Sequence, residues 1–227
     1  MPAALRLLHL PGPGRADCRR FARLRLPGPV RALAGLDDES AIGSRRLEIG
    51  GGPHVQQGYL HVDIDRGAHH LEWTAPAWDL PLPDAWASEV LAIHILEHVP
   101  PPRLVSTLAE WLRVLRPGGR VQVHVPNGPV LMEALMTRPL AEKWPLMGSL
   151  LGMYCGPRDR DPSRLDRRSD HQIIFDHEIL RWALDAAGFT DIEDLTGIAT
   201  DRHVVGWRHE VQDYSLIASA RRPAKRE

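Results

Sequence analysis

Alternation of apolar and polar positions marks out the first elements of the chain. Leu47 and Ile49 form a short strand that runs into Gly50-Gly51-Gly52-Pro53. Tyr59–Ile64 reads as a second strand, alternating but largely apolar, and a short His70–Trp73 piece follows. A turn-rich stretch, Asp79–Asp84, leads to Glu89–Leu96, the most apolar run and the pattern of a central parallel strand covered on both faces. After Pro100–Pro102 the period changes. Leu104, Leu108, Trp111, Leu112 and Leu115 make the stripe of an amphipathic helix, which Arg116-Pro117-Gly118-Gly119 ends. Val121, Val123 and Val125 alternate in the strand beyond it. Residues 129–155 read as helical, and Asp176–Ala187 as a capped helix closed by Gly188. Phe189–Leu195 and Val211–Arg221 supply closing strands. Strands interleaved with Gly turns and helices predict an α/β domain with a mainly parallel sheet.

Composition narrows the class. At 227 residues, 43% hydrophobic and 25% charged, the chain is an ordinary globular one. Residues 45–227 form the predicted domain, with 129–175 as a cap or lid segment; residues 1–44, rich in Pro, Gly and Arg, form a partly helical N-terminal extension. Twenty-eight basic against 29 acidic residues leave a net charge of −1, so the positive field of a nucleic-acid binder is missing and no such partner is expected. Two cysteines without a CxxC motif point away from a disulfide framework or a cysteine zinc site and toward a reducing, cytoplasmic setting. No apolar run approaches the ~20 residues of a membrane span, and the basic start lacks the continuous apolar core of a targeting peptide and is broken by Pro11, Pro13 and Pro27, so no membrane partner is expected. Self-association is left open.

The glycine cluster is the strongest local chemical signal. Directly after a strand, Gly50, Gly51 and Gly52 let the backbone approach a ligand at the carboxyl edge of the sheet. Asp63, at the end of the next strand, offers a carboxylate to both hydroxyls of a ribose. A phosphate-binding loop does not fit, because no Gly-Lys-Ser/Thr follows. Leu-Glu-Ile-Gly-Gly-Gly-Pro, His-Val-Asp-Ile-Asp, Asp-Leu-Pro-Leu-Pro-Asp, Ile-Leu-Glu-His-Val and Leu-Arg-Val-Leu-Arg-Pro-Gly-Gly-Arg occur in that order. Together they resemble a class I S-adenosylmethionine-dependent methyltransferase, nearest to the small-molecule subgroup that includes the ubiquinone-biosynthesis type. The resemblance spans roughly residues 45–220.

That resemblance implies a Rossmann-like, doubly wound, mainly parallel seven-stranded sheet with helical cap or lid insertions. It implies S-adenosylmethionine as cofactor and a small-molecule acceptor. By position, Glu48 orders the glycine loop and the methionine end of the cofactor, and Gly50, Gly51 and Gly52 pack against it. Asp63, followed by Ile64, binds the ribose side. Asp79, with the backbone of Leu80, recognises the adenine amino group. His94 borders the methionine moiety. Two departures stand out: His54 replaces the usual third glycine, and only ten residues separate Gly52 from Asp63. The glycine loop must therefore lead almost directly into the second strand.

Methyl transfer is an in-line displacement in which the protein contributes alignment and desolvation, with a base useful for a hydroxyl acceptor. His98 and His171 are the candidates for base or acceptor-positioner. His124 reads as structural. No metal site is expected: His69-His70 lie at a strand exit, and Asp159, Asp161, Asp166 and Asp170 are interleaved with five Arg in an exposed 156–170 loop. O-methylation is favoured over N-methylation, on an amphipathic or anionic acceptor of the kind found in bacterial specialised-metabolite or sugar/glycan biosynthesis. The alternatives are a nucleotide-dependent oxidoreductase, an RNA or protein methyltransferase, and a non-methylating member of the fold that only binds S-adenosylmethionine. With the glycine loop so short, the N-terminal extension is the candidate cap for the cofactor carboxylate. Deleting residues 1–40 is expected to weaken S-adenosylmethionine binding in calorimetric titration, and unchanged affinity would remove that role.

Overall fold

The computed structural model describes residues 45–52, 56, 58–65, 71–152, 170–197 and 214–224, without the side chains of 144 and 145. All of them fall in one compact unit, Leu36–Glu227; the other unit, Met1–Gly35, lies outside the described residues. So do the rest of the N-terminal extension, His54, His69-His70, the 156–169 part of the polar loop, the tail of the 129–155 helical stretch and the start of the Val211–Arg221 strand.

Seven strands form one sheet: β1 (Arg46–Ile49), β2 (Leu60–Asp63), β3 (Trp73–Thr74), β4 (Ala87–Ile93), β5 (Leu115–Pro126), β6 (Thr190–Asp194) and β7 (Ser215–Arg221). Their order is β3-β2-β1-β4-β5-β7-β6. The first five pair in parallel, and β7 runs antiparallel to both β5 and β6. This is the α/β, mainly parallel, seven-stranded architecture expected from the sequence. The helices are α1 (Leu104–Val114), α2 (Gly128–Thr137), α3 (Leu140–Leu151) and α4 (His177–Ala187).

Strand alternation divides the sheet by chemistry. Leu47, Ile49, Val62, Val90, Ala92, Val121, Val123, Leu216 and Ala218 share one core with Leu108 and Trp111 of α1 and Leu180, Ala183 and Leu184 of α4. The intervening positions are buried but largely polar: Glu48, His61 and Asp63 on β1 and β2, Glu89 on β4, Gln122 and His124 on β5. Glu89, Gln122 and His124 are hydrogen-bonded within this layer, whereas His61 Nδ1 makes no hydrogen bond among the described residues. Tyr59 donates its hydroxyl proton to Glu89 at 2.8 Å, and Gln122 and His124 pair side chain to side chain at 2.8 Å. Pairing of this kind removes the penalty of burying polar groups.

Several boundaries differ from the sequence reading, each for a local reason. The apolar run does not stay a strand to Leu96: β4 ends at Ile93, His94 turns to a φ of +54°, and Leu96–His98 form a 3-10 turn. The single helical stretch from 129 is split, because Pro139 forces Arg138 out of the helical region (ψ 156°) and separates α2 from α3. Arg116–Gly119 lie inside β5, which begins directly where α1 stops. Among the described residues no helix lies between β1 and β4.

The closing helix α4 is capped at both ends. Asp176 Oδ1 accepts the Ile179 N–H at 2.8 Å, and Gly188 ends the helix at a φ of +98°. Asp176→Ala is expected to lower stability by about 1 kcal/mol in urea unfolding.

Candidate active site

The site follows from the parallel sheet. All the strands from β1 to β5 end at the same edge, and both groups of residues singled out in the sequence stand there. The first group surrounds the glycine turn. Gly50 has a φ of +72° and Gly52 one of +54°, a region that L side chains rarely adopt. A Cβ on Gly50 would lie 2.0 Å from Ile95 Cδ1, and one on Gly51 would lie 3.0 Å from the Glu48 carboxylate. At Gly52 a Cβ would meet nothing within 4 Å among the described residues, whereas at Gly50 and Gly51 the turn is tight toward the protein.

Two carboxylates hold this turn. Glu48, 1% exposed, accepts the Gln56 N–H at 2.8 Å, and the His61 ring approaches the same oxygen at 2.8 Å. Asp63 Oδ2 accepts the Gly52 N–H at 3.0 Å, and Oδ1 accepts the Asp65 N–H at 2.8 Å. Ile64, beside it, is 44% exposed. Asp79 is exposed in the turn after Pro76, while the neighbouring Leu80 N–H is donated to Glu110 of α1 at 2.9 Å. Leu80's carbonyl in turn accepts from Arg113, whose guanidinium also bonds Glu110 and Asp84. Burial alone would lower the Arg113 pKa, but those two carboxylates raise it well above its ordinary value.

The second group gathers around Glu97, which is fully buried. An ionised carboxylate only accepts hydrogen bonds, so the His94 Nδ1–H donates to Glu97 Oε1 at 3.1 Å while Nε2 bonds Ser215 Oγ at 3.0 Å. These bonds, with the His94 N–H donated to the His124 carbonyl, hold His94 in its left-handed conformation. His98 Nε2 lies 4.0 Å and His171 Nε2 3.8 Å from the same Glu97 oxygen. The two rings stand edge to face, 4.8 Å apart. The Glu97 carbonyl accepts the Gln172 and Ile173 N–H groups at 2.7 and 3.2 Å, which ties the segment bearing His171 to the end of β4.

Burial by itself would raise the Glu97 pKa. The His94 hydrogen bond and the charges that His94, His98 and His171 can carry outweigh it and hold the carboxyl below the usual carboxylate range. Burial likewise pushes the His171 imidazole down, and the neighbouring Glu97 only partly restores it.

His98 and His171, chosen separately from the sequence, therefore meet at one carboxylate, with His94 beside them. Glu48, Gly50, Gly51, Gly52 and Asp63 meet at the glycine turn, and Ile95 packed on Gly50 joins the two groups. No described contact links Asp79 or Leu80 to either. Glu97 and Ser215 were not singled out. Glu97 did stand in the quoted Ile-Leu-Glu-His-Val motif, whereas Ser215, 121 positions from His94, left no local trace.

Parallel strands that deliver a glycine turn and an acidic residue to one sheet edge define a Rossmann-like nucleotide-cofactor protein. Residues 59–123 match the family model of the methyltransferase domain. That match spans less than half of the chain and agrees with the S-adenosylmethionine-dependent methyltransferase resemblance of the sequence motifs and with the cofactor it implies. No curated protein matches the chain. Among solved structures it is similar to an S-adenosylmethionine-dependent methyltransferase from Archaeoglobus fulgidus, at 17% identity, 86% of this chain, 96% of that one and a TM-score of 0.48. It is similar to a possible histamine N-methyltransferase from Thermotoga maritima, at 16% identity, 85% and 86% coverage and a TM-score of 0.49. The CurJ carbon methyltransferase is similar at 17% identity and a TM-score of 0.46; 83% of this chain is covered, but only half of that one.

The residues present fit the cofactor. No described residue comes within 4 Å of a Cβ placed on Gly52, Asp63 accepts that residue's N–H, and Ile64 offers exposed apolar surface beside it.

Folded-state values below the ordinary ones mean that Glu97 and His171 bind protons less readily folded than unfolded. Their contribution to stability is complete above the unfolded values, about 4.3 and 6.5, and is lost as pH falls through the folded ones. The unfolding temperature is therefore expected to fall between about pH 7 and about pH 3. His171→Asn should flatten the upper part of that profile and Glu97→Gln the lower part, as read by calorimetry across pH.

Proposed function

We propose that the chain transfers a methyl group from S-adenosylmethionine to a small-molecule acceptor, with oxygen preferred over nitrogen. The observation that carries this reading is the meeting of His98 and His171 at the buried Glu97, on the sheet edge that also bears the glycine turn. An amine needs no such cluster, whereas a hydroxyl must lose its proton as it attacks.

When bound, the cofactor supplies a methyl carbon made electrophilic by its positive sulfur. The chain's residues bind and orient. Glu48 holds the glycine turn from beneath, through Gln56 and against Gly51. Asp63 receives the ribose hydroxyls. Asp79 receives the adenine amino group by its carboxylate, since the Leu80 N–H is committed to Glu110. His94 borders the methionine end, fixed by Glu97 and Ser215. The acceptor hydroxyl is taken up by the Glu97–His98–His171 cluster, and its proton leaves on that side as the oxygen attacks the methyl carbon. Met132, Met136, Leu140, Met147 and Leu151, all at least partly exposed on α2 and α3, offer apolar surface to an amphipathic acceptor. Such an acceptor, from specialised-metabolite or sugar/glycan biosynthesis, would lay its apolar part on that surface.

Calorimetric titration tests the reading. S-adenosylmethionine and S-adenosylhomocysteine are expected to bind, NAD is not, and Asp63→Ala should weaken both sulfur ligands by at least about tenfold, the loss of a hydrogen-bonded charge inside a site. Binding without S-adenosylhomocysteine formation on any hydroxyl or amine acceptor would leave a non-methylating protein.

A further inference from the structure

The Glu97 cluster holds more acceptors than donors. His98 Nδ1 lies 3.3 Å from the Asp170 carbonyl and His171 Nδ1 lies 3.1 Å from the Leu150 carbonyl. A carbonyl only accepts, so in each ring the proton sits on Nδ1 and Nε2 presents its lone pair. Both Nε2 atoms lie within 4.0 Å of Glu97 Oε1, and neither makes a hydrogen bond among the described residues. The second carboxylate oxygen, Oε2, is buried with no hydrogen-bond partner among the described residues. Among the described residues His94 donates into the cluster, at Glu97 Oε1. Two imidazole lone pairs and a buried carboxylate thus converge, and no Lys or Arg among the described residues pairs with them.

We propose that Glu97, His98 and His171 bind one divalent transition-metal cation. Their donor atoms lie within 4.8 Å of one another, and the shorter separations, 3.8 and 4.0 Å, need to close by only about half an ångström to place each near 2.1 Å from a shared ion. Two imidazoles and one carboxylate select a borderline ion such as zinc, manganous or ferrous ion over magnesium or calcium. The Nδ1–H bonds to backbone carbonyls are the outer-shell contacts that fix ring orientation and tautomer in a ligating histidine. The ligands come from both sides of one backbone staple, the Glu97 carbonyl to the 172–173 amides, so they are held together before any ion arrives. Open positions on the ion would take the acceptor oxygen and ease loss of its proton to water, since both imidazole lone pairs would then be held by the ion. That last role rests on the acceptor reading above; cation binding itself does not.

The test uses the full chain, stripped with a chelator and titrated with Co2+ as a spectroscopic probe and with Zn2+ by calorimetry. One ion per chain is expected, with visible d–d bands of nitrogen and oxygen ligation. His171→Gln and Glu97→Gln should each weaken binding by at least about tenfold, while His177→Gln, on an exposed ring outside the cluster, should not. Circular dichroism confirms that each variant folds, and His98→Asn serves where Glu97→Gln does not. Absence of binding, or binding undiminished in the His171 and His98 variants, overturns the proposal. S-adenosylhomocysteine formation is followed separately. Methyl transfer by a chain that binds no cation overturns the cation site alone, and cation binding beside transfer that ignores a chelator removes its role on the acceptor.

Discussion

An ionised carboxylate removed from water costs several kcal/mol unless the fold answers it, and Glu97 is buried completely at the end of the central strand. The answer organises this edge of the molecule. One oxygen draws in His94, His98 and His171 from two separate stretches of chain, and the backbone of the same residue binds the segment that delivers His171. His94 accepts a left-handed backbone to reach it. The electrostatic demand of one side chain thus fixes strand end, turn and incoming segment together.

The cofactor half of the edge obeys a steric constraint rather than an electrostatic one. Gly50 has no room for a Cβ because Ile95 occupies it, and Gly51 sits directly over Glu48. Since Ile95 is two residues from Glu97, the glycine turn and the histidine cluster are registered to each other through a single packed side chain. Alignment of that kind is the main thing a protein contributes to methyl transfer.

Much of this was written locally in the chain. The valines at 121, 123 and 125 announce their strand, the stripe from Leu104 to Trp111 announces α1, and glycines followed by an acid on the next strand announce the cofactor edge. Errors arose where tertiary terms overruled a run of apolar residues. Ile95 and Leu96 read as strand, but the polypeptide must turn at His94 for Glu97 to enter the interior. Pro139 signals a break that the apolar pattern of 129–155 conceals. Glu97 itself is an ordinary acid in the sequence, and its weight comes from His171, 74 positions away, and from Ser215 acting through His94. Leu80 could not be judged either, because its amide is claimed by Glu110 from a helix 30 residues on.

The backbone bond between the Leu151 carbonyl and the His171 amide, 3.1 Å long, brings together two points twenty residues apart in sequence. Its two feet are held by α3 and by the Glu97 carbonyl, which binds the 172–173 amides. Chain-closure entropy grows only with the logarithm of length, so doubling such a span costs about 0.6 kcal/mol. The position of His171 is thus set by its own amide and by Glu97, at a closure cost that depends only weakly on the number of residues between the two feet.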